Sequence, residues 1–299
     1  SGSDQMTSRQ GNYEPANMPL KRRLRSADGC ELATYEGGNP DGLPLVFLHG
    51  FSLDHSVWSR LWAEPQLAST CRLIAIDLRG HGQSSAPPTM EAYVDGSRWA
   101  DDLACVIDEL NVINAVVVAW SYGGRILNDY LRHYGQDQIV GINFVAAATI
   151  NDPTLIGADH ALLGAMCSPE TEEANLGVRH FVEQVFGYQA GSSEHARLTA
   201  IVNTVDSQTR LWLRQRALDY DTLLGSITIP VLISHGARDQ FVLPELAVRL
   251  NSVLSNGRII LHEGSGHAPF FDDPRSFSKA LLRFATECNG GRLGISRGL

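Results

Sequence analysis

The sequence predicts an α/β protein with a doubly wound, mostly parallel sheet and a helical cap insertion. Three observations lead to this class. Short apolar runs alternate with longer amphipathic patterns along most of the chain. The runs are nearly continuous in Val, Ile and Leu, which indicates strands buried on both faces, as in a parallel sheet covered by helices. Residues 153–219 contain helical patterns but no clear strand, and this interval is too long for a simple connection.

Six apolar runs are the predicted strands. Each run is short and bounded by Gly, Pro, Asn or Asp, which favours a strand over a segment of buried helix. Strands that alternate with helices in this way form a sheet with helices on both faces. The predicted strands cover residues 43–49, 71–77, 114–120, 139–147, 229–235 and 257–263.

Four amphipathic patterns predict helices that cover the sheet. In the first pattern, Trp99, Leu103 and Ile107 share one apolar face, and Asp95 or Ser97 could cap the start of the helix. The predicted helices cover residues 96–111, 124–135, 244–254 and 274–288.

The predicted cap divides the core of the chain into two parts. The core covers residues 20–152 and 220–288, and the cap covers residues 153–219. Residues 1–19 are polar, and we expect them to be a disordered segment or the remnant of a tag. We expect residues 289–299 to be a C-terminal tail.

Composition and charge disfavour several classes of protein. Of the 299 residues, 43% are hydrophobic, so a core can form without disulfides or a structural metal. The net charge of −9 disfavours binding to nucleic acid, and no apolar run approaches the ~20 residues that span a membrane. Five scattered cysteines are typical of reduced thiols in a cytoplasmic protein. No Cys/His cluster or dinucleotide-binding loop is visible, so we expect neither a metal nor a cofactor.

Ser121 lies where a buried strand turns sharply into a helix, in the segment "AWSYGG". This context is the one that a nucleophile elbow requires, with small residues on both sides of the turn. Gly123 and Gly124 provide small residues on one side, and Ala119 stands where the G-x-S-x-G motif has glycine. A serine that merely caps a helix is the alternative that this segment alone leaves open.

Two further residues supply the groups that would activate a serine. His267 lies in a Gly-rich loop after one predicted strand, and Asp239 follows another. A serine needs a base to remove its proton, and a carboxylate can orient that base and stabilise its charged form. Asp152, which also follows a strand, is a less favoured alternative for the acid.

The segment "LVFLHGF" predicts the start of an oxyanion hole. The loop after the first core strand can direct a backbone N–H at the serine, and the N–H of the residue after the nucleophile adds a second donor. The two donors predicted are the N–H groups of Phe51 and Tyr122.

Five segments, "FLHGF", "IAIDLRGHGQSS", "AWSYGG", "SHGARDQFV" and "GSGHAPFFDDP", together resemble the α/β-hydrolase fold superfamily. The resemblance covers residues from about 20 to 288. It implies that Ser121 is the nucleophile, Asp239 the acid and His267 the base, with the cap between the sixth and seventh strands. Within the superfamily, the chain resembles carboxylesterases of the pimeloyl-carrier-protein methyl ester esterase group and the non-haem haloperoxidase-like esterases.

An apolar substrate pocket is expected beneath the cap. Arg197, Arg210 and Arg214 of the cap are expected on a solvated helix face. The residues predicted to line the pocket are Leu53, Trp120, Phe181, Phe186, Trp212 and Phe270.

These features predict a serine hydrolase that cleaves a carboxylic ester with an apolar, small-to-medium acyl group through an acyl-enzyme. An acyltransferase, a perhydrolase or a C–C bond hydrolase could use related chemistry, and a non-catalytic ligand-binding protein is a further alternative. The expected partner is a small-molecule ester, with an ester carried by an acyl-carrier protein as a less favoured option. The oligomeric state stays open.

Overall fold

An eight-stranded sheet lies at the centre of the protein, in a computed structural model that describes residues 16–147 and 149–290. The order of strands across the sheet is β1-β2-β4-β3-β5-β6-β7-β8. Their bounds are β1 Leu20–Arg25, β2 Glu31–Gly38, β3 Leu43–Leu48, β4 Cys71–Ile76, β5 Ala115–Trp120, β6 Ile139–Val145, β7 Val231–Gly236 and β8 Gly257–His262.

The directions of the strands confirm the predicted fold class. All neighbouring pairs from β4 to β8 are parallel. Within this sheet the two antiparallel pairs are those that β2 forms with β1 and with β4. Every residue of β5 and β7 is buried, which is why these strands show apolar runs and not an alternating pattern. Parallel packing brings the carboxyl ends of β3, β5, β7 and β8 to one edge of the sheet, where ligands of such folds bind.

All six predicted strands match observed strands to within two residues at each end. Two further strands, β1 and β2, were not predicted. The outer strand β1 has the sequence "LKRRLR" and is mostly exposed. Positive side chains on an edge strand discourage pairing with other chains, and they also remove the apolar signal on which the prediction depended.

Helices cover both faces of the sheet, and the four predicted helices correspond to α4, α5, α11 and α13 to within two residues. Asp95 caps α4 by accepting a hydrogen bond from the N–H of Ser97, which resolves the choice that the sequence left open. The helices are α1 Ser59–Trp62, α2 Pro65–Thr70, α3 Glu91–Val94, α4 Gly96–Glu109, α5 Gly123–Tyr134, α6 Ala161–Ala165, α7 Thr171–Phe186, α8 Ser193–Val202, α9 Ser207–Arg214, α10 Asp221–Ser226, α11 Glu245–Val253, α12 Pro269–Asp272 and α13 Pro274–Cys288.

Helices α6 to α9 lie between β6 and β7, within the interval predicted to form the cap. Arg210 of α9 is buried, so its predicted place on a solvated face is wrong. Its guanidinium donates to Ser52 Oγ at 3.0 Å, to the carbonyl of Met166 at 2.8 Å and to the carbonyl of Val202 at 2.9 Å. Because Ser52 lies in the loop after β3, these bonds connect the helical segment directly to the edge of the sheet.

The two ends of the chain are described only in part. Residues 1–15 and 291–299, which include most of the predicted leading segment and tail, lie outside the described residues. The N–H of Ala16 donates to the carbonyl of Ser59 at 3.2 Å. None of the helices within the described ranges combines the length and apolar character needed to cross a membrane.

Candidate active site

Ser121 lies in a strained turn between β5 and α5. Its φ of 51° is in the left-handed region, which non-glycine residues rarely adopt. The turn is held in place because the N–H of Ser121 donates to the carbonyl of Val145 at 2.8 Å, and the N–H of Gly124 donates to the carbonyl of Ser121 at 3.0 Å. Strain of this kind persists only when surrounding structure enforces it, and it often marks a functional site.

Small residues allow this turn to form. A Cβ on Gly123 would lie 2.5 Å from the carbonyl oxygen of Leu48 and 3.0 Å from that of His49, so a side chain there would collide with backbone. Ala119 on the other side is fully buried within β5, where its methyl group is accommodated in the core. The departure from G-x-S-x-G therefore leaves the geometry of the turn intact.

The three predicted catalytic side chains lie within hydrogen-bond distance of one another. His267 Nε2 is 3.1 Å from Ser121 Oγ. On the other edge of the same ring, His267 Nδ1 is 2.8 Å from Asp239 Oδ2. The backbone carbonyl of His267 accepts a hydrogen bond from Trp120 Nε1 at 2.9 Å, which ties the histidine loop to the strand that carries Ser121.

Asp239 is fully buried but well supplied with partners. Its Oδ1 accepts the N–H groups of Phe241 at 2.8 Å and Val242 at 3.0 Å, and its Oδ2 lies 2.8 Å from His267 Nδ1 and 3.3 Å from His235 Nε2. Burial alone would raise the pKa of Asp239, but the charge of His267 and a hydrogen bond from His235 hold it well below its usual range. The side chain is therefore a carboxylate that can orient and stabilise a protonated His267.

Asp152, the alternative acid, lies elsewhere. Its Oδ1 accepts the N–H of Thr154 at 2.9 Å, and its Oδ2 is 3.4 Å from Arg249. The carboxylate caps a short helical turn and pairs with a surface arginine, so it does not orient His267.

The residues that carry the predicted oxyanion donors line one cavity with Ser121. Phe51 in the loop after β3 and Tyr122 in the turn after β5 both line this cavity together with Ser121. Among the residues that the structure describes, no backbone acceptor outside the helices and strands takes the N–H of either residue. Both groups are thus available to a developing oxyanion.

Two buried histidines hold the loop that carries Phe51. His81 Nε2 accepts the N–H of Ser52 at 3.1 Å, and His49 Nε2 accepts the N–H of Leu78 at 3.0 Å. Burial lowers the pKa of His49 to about 3 and that of His81 to about 4. Because both rings must be neutral to accept these bonds, they act as structural supports and not as bases.

Replacing His81 tests this role through the pH dependence of stability. The folded protein keeps His81 neutral down to about pH 4, whereas an unfolded histidine binds a proton below about pH 6.5. Between these values the unfolded state binds more protons, so the free energy of unfolding falls as pH falls, by about 1.4 kcal/mol per pH unit per histidine. Urea unfolding of His81→Gln at pH 5, 6 and 7 should give an average slope smaller by about 1 kcal/mol per pH unit, because the unfolded histidine is already mostly neutral at pH 7.

His180, which is exposed on α7, offers a matched control. His180→Gln should leave the slope of the wild-type protein unchanged. If His81→Gln also leaves the slope unchanged, His81 is not kept neutral by the fold.

The cavity above Ser121 has a volume of about 330 Å³, which is at the lower end of the range for small-molecule sites. Three of the predicted pocket residues, Leu53, Trp120 and Phe181, line it. The other three predicted residues do not line the cavity, so their predicted place in the pocket wall is wrong. They are Phe186, Trp212 and Phe270.

Each of these three aromatic rings is engaged elsewhere. Phe186 packs on Phe271, with ring centroids 4.8 Å apart. Trp212 stacks on Tyr93 at 5.8 Å. Phe270 is fully buried, and its ring lies 4.3 Å from that of Trp58 and 4.9 Å from that of Trp120, so it packs behind a residue of the pocket wall.

Four basic residues that line the cavity were not predicted to do so. They share a basic side chain, and the described lining residues include no Asp or Glu. For Arg125 a signal existed in the sequence, because it lies only four residues after Ser121, in the first turn of the helix that follows the nucleophile. The four residues are Arg125, His160, Arg214 and Arg216.

Asp77 and its neighbours are the described residues closest to a metal-binding arrangement. Ligand atoms of Asp54, His55 and Asp77 lie within 4.8 Å of one another. The oxygens of Asp77 already accept hydrogen bonds from Tyr35 Oη at 2.9 Å, from His55 Nδ1 at 2.7 Å and from the N–H of Gln83 at 2.8 Å. This carboxylate organises the turn after β4.

The sequence and the fold of this chain are similar to those of known proteins. A model of the alpha/beta hydrolase family matches residues 45–280. The solved structure of a proposed aryl esterase from Burkholderia cenocepacia superposes with a TM-score of 0.84 and 31% identity, covering 90% of this chain and 99% of that one. The esterase RhEst1 from Rhodococcus sp. ECU1013 gives a TM-score of 0.81 and 30% identity, with 91% and 99% covered.

A sequence relative carries a different name. Non-heme chloroperoxidase CPO-A1 from Kitasatospora aureofaciens is 26% identical over 275 residues, which are 86% of this chain and 96% of the relative. Proteins described as esterases and as a haloperoxidase thus share the fold of this chain over almost their whole length.

Proposed function

Because the chain belongs to the alpha/beta hydrolase family, we propose that this ester-hydrolysing enzyme works through a covalent acyl-enzyme on Ser121. The observation that carries the proposal is the continuous line of hydrogen-bond contacts from Ser121 Oγ through His267 to Asp239. A serine hydroxyl in reach of an imidazole, which is oriented in turn by a buried carboxylate, is the arrangement that activates a serine nucleophile.

The first half of the reaction acylates the serine. His267 Nε2 removes the proton of Ser121 as Oγ bonds to the ester carbonyl carbon, and Asp239 stabilises the imidazolium that forms. The carbonyl oxygen becomes an oxyanion that accepts the N–H groups of Phe51 and Tyr122. The bond to the alcohol oxygen then breaks, and that oxygen takes the proton from His267.

The second half returns the serine to its starting state. His267 removes a proton from water, whose oxygen bonds to the carbonyl carbon of the acyl-enzyme. Collapse of this second intermediate breaks the bond to Ser121 Oγ, which regains a proton from His267. The carboxylic acid is released, and no cofactor enters either half.

The walls of the cavity favour a small-to-medium acyl group with apolar character. Leu53, Phe181, Leu163 and Leu218 line the space around the serine. A cavity of about 330 Å³ accommodates a short ester and excludes an extended fatty chain.

A series of 4-nitrophenyl esters tests this proposal. We expect kcat/KM to be highest for acyl chains of about two to six carbons and to fall about tenfold or more for the dodecanoate, because its chain exceeds the cavity. Release of 4-nitrophenol is followed by absorbance, with the rate for Ser121→Ala subtracted. If none of the esters releases 4-nitrophenol in a way that depends on Ser121, the esterase proposal is refuted.

A second candidate function is a perhydrolase, which the likeness to a non-heme chloroperoxidase favours. The same acyl-enzyme would be attacked by hydrogen peroxide in place of water, so the product would be a peracid and Ser121 would again be released. Product analysis with an ester and added peroxide distinguishes the two functions. Peracid in excess of the carboxylic acid favours the perhydrolase, and carboxylic acid alone favours the esterase.

A further inference from the structure

The active-site cavity holds an excess of positive charge in a protein whose net charge is −9. Guanidinium groups of Arg125, Arg214 and Arg216 line the cavity with Ser121, and none of the described lining residues is acidic. A neutral ester has no need of this charge. Low-dielectric walls concentrate the field of such groups and attract an anion into the cleft.

The positive charge of Arg125 has no acidic partner among the described residues. Its Nε is buried and has no hydrogen-bond partner, and no carboxylate of the described residues forms an ion pair with it. Its guanidinium lies 5.0 Å above the ring of Tyr122, the residue next to the nucleophile. Burial lowers the pKa of Arg125, and the nearby charges of Arg216 and Arg214 lower it further.

Other buried arginines of this chain show what a structural role looks like. Arg79 is fully buried and donates to both oxygens of Asp102 at 2.7 Å and to Asp28 at 2.8 Å. Arg210 is also buried, and its guanidinium donates to a hydroxyl and to backbone carbonyls. Arg125 lacks this kind of partner and faces the cavity, which indicates that its partner belongs to a ligand.

Arg216 adds a second set of unused donors. Its Nη2 bonds to Asp129, which also accepts a hydrogen bond from Tyr220 at 2.8 Å. Its Nε and Nη1 are buried without any partner. Leaving a buried charged donor unsatisfied is costly, and only Nη2 of Arg216 is paired, so this residue adds to the positive charge that an anion in the cavity would meet.

We propose that the preferred substrate carries a carboxylate in addition to its ester, and that Arg125 binds this carboxylate while Ser121 attacks the ester carbonyl. The inference rests on the esterase function proposed above and specifies its substrate class. A guanidinium and a carboxylate form paired, charge-assisted hydrogen bonds, so Arg125 would position the ester as well as attract it. Arg214, exposed at the cavity, would attract the anion on its way in.

Matched esters test the inference without any variant. Mono-4-nitrophenyl adipate and methyl 4-nitrophenyl adipate have the same acyl chain, but only the first carries a free carboxylate. 4-Acetoxybenzoate and phenyl acetate form the equivalent pair for a carboxylate on the alcohol side. We expect kcat/KM of the wild-type enzyme to be about 10- to 100-fold higher for the charged member of at least one pair.

Variants then assign the preference to Arg125. The ratio of kcat/KM for charged over neutral ester should fall about 10- to 100-fold in Arg125→Gln and less in Arg125→Lys, which keeps the charge but loses the planar fork. Arg197→Gln replaces an exposed arginine that does not line the cavity and should leave the ratio within about twofold of the wild-type value.

The outcomes separate this inference from the function on which it rests. If the enzyme cleaves both members of each pair equally well, or if Arg125→Gln leaves the ratio unchanged, the carboxylate site is refuted and the esterase stands. If no ester is cleaved in a Ser121-dependent way, the proposed function fails and the inference fails with it.

Discussion

Ser121→Ala should lower kcat for ester cleavage by a factor on the order of 10⁴ to 10⁶, the largest effect that we expect. The variant removes the atom that forms the acyl-enzyme, and His267 is left without a proton to take from a nucleophile. Phe51 and Tyr122 would still bind an oxyanion, so a small residual rate above the uncatalysed reaction should remain. Steady-state rates with 4-nitrophenyl butyrate measure the loss.

The fold should tolerate this change. Alanine deletes one oxygen that contacts only His267 among the described side chains, so the urea midpoint should stay close to that of the wild-type protein. Ser252→Ala, on the surface helix α11, is the matched control and should keep full activity. Turnover of Ser121→Ala at the wild-type rate would contradict the proposed mechanism.

Asp239→Asn should have the second largest effect, a loss in kcat of about 10³- to 10⁴-fold. The Oδ1 of asparagine can still accept the N–H groups of Phe241 and Val242, so the side chain keeps its orientation. Its NH₂ group then faces His267 Nδ1, where a carboxylate oxygen had accepted a hydrogen bond from the ring N–H. To accept a hydrogen bond from this NH₂ group, Nδ1 must be unprotonated, so the ring carries its proton on Nε2. A protonated Nε2 can no longer take the proton of Ser121.

Asp152→Asn is the matched control because Asp152 also follows a strand and was the alternative acid. Its carboxylate caps a turn and pairs with Arg249, so kcat should stay within about threefold of the wild-type value. A large loss in Asp152→Asn together with full activity in Asp239→Asn would reverse the assignment of the acid.

The sequence was sufficient to predict the six parallel strands β3 to β8 and the polar residues that follow them. Buried parallel strands such as β5 and β7 must be apolar throughout, so they stand out as runs of Val, Ile and Leu. The parallel arrangement in turn places the residues after these strands at a common edge. Ser121, Asp239 and His267 could thus be brought together from their places in the chain, before any distance was known.

The substrate pocket could not be predicted in the same way. Its walls depend on the direction in which each side chain points from helices whose packing is set by tertiary contacts. Trp212 and Phe186 were expected to face the serine, but they stack on Tyr93 and Phe271 instead. Arg210 was expected in solvent because arginines are mostly exposed, yet it is buried and bonded to Ser52 and Met166, which lie far away in the chain.

The basic lining of the cavity illustrates the same limit. Arg125 is close to Ser121 in sequence, but the role proposed for it depends on the absence of a carboxylate among the described residues around it. An arginine with a salt-bridge partner and one without look identical in a sequence. Only the three-dimensional arrangement distinguishes them. From this arrangement we infer that the pocket selects a charged substrate and not only an apolar one.

Covalent labelling with a fluorophosphonate probe tests the central claim, that Ser121 is an activated nucleophile, most directly. Intact-mass spectrometry should show one equivalent of probe on the wild-type protein, and peptide mapping should place it on Ser121. Ser121→Ala should remain unlabelled, and Asp239→Asn should be labelled much more slowly. Stoichiometric labelling at another residue, or an active enzyme that resists the probe, would contradict the account.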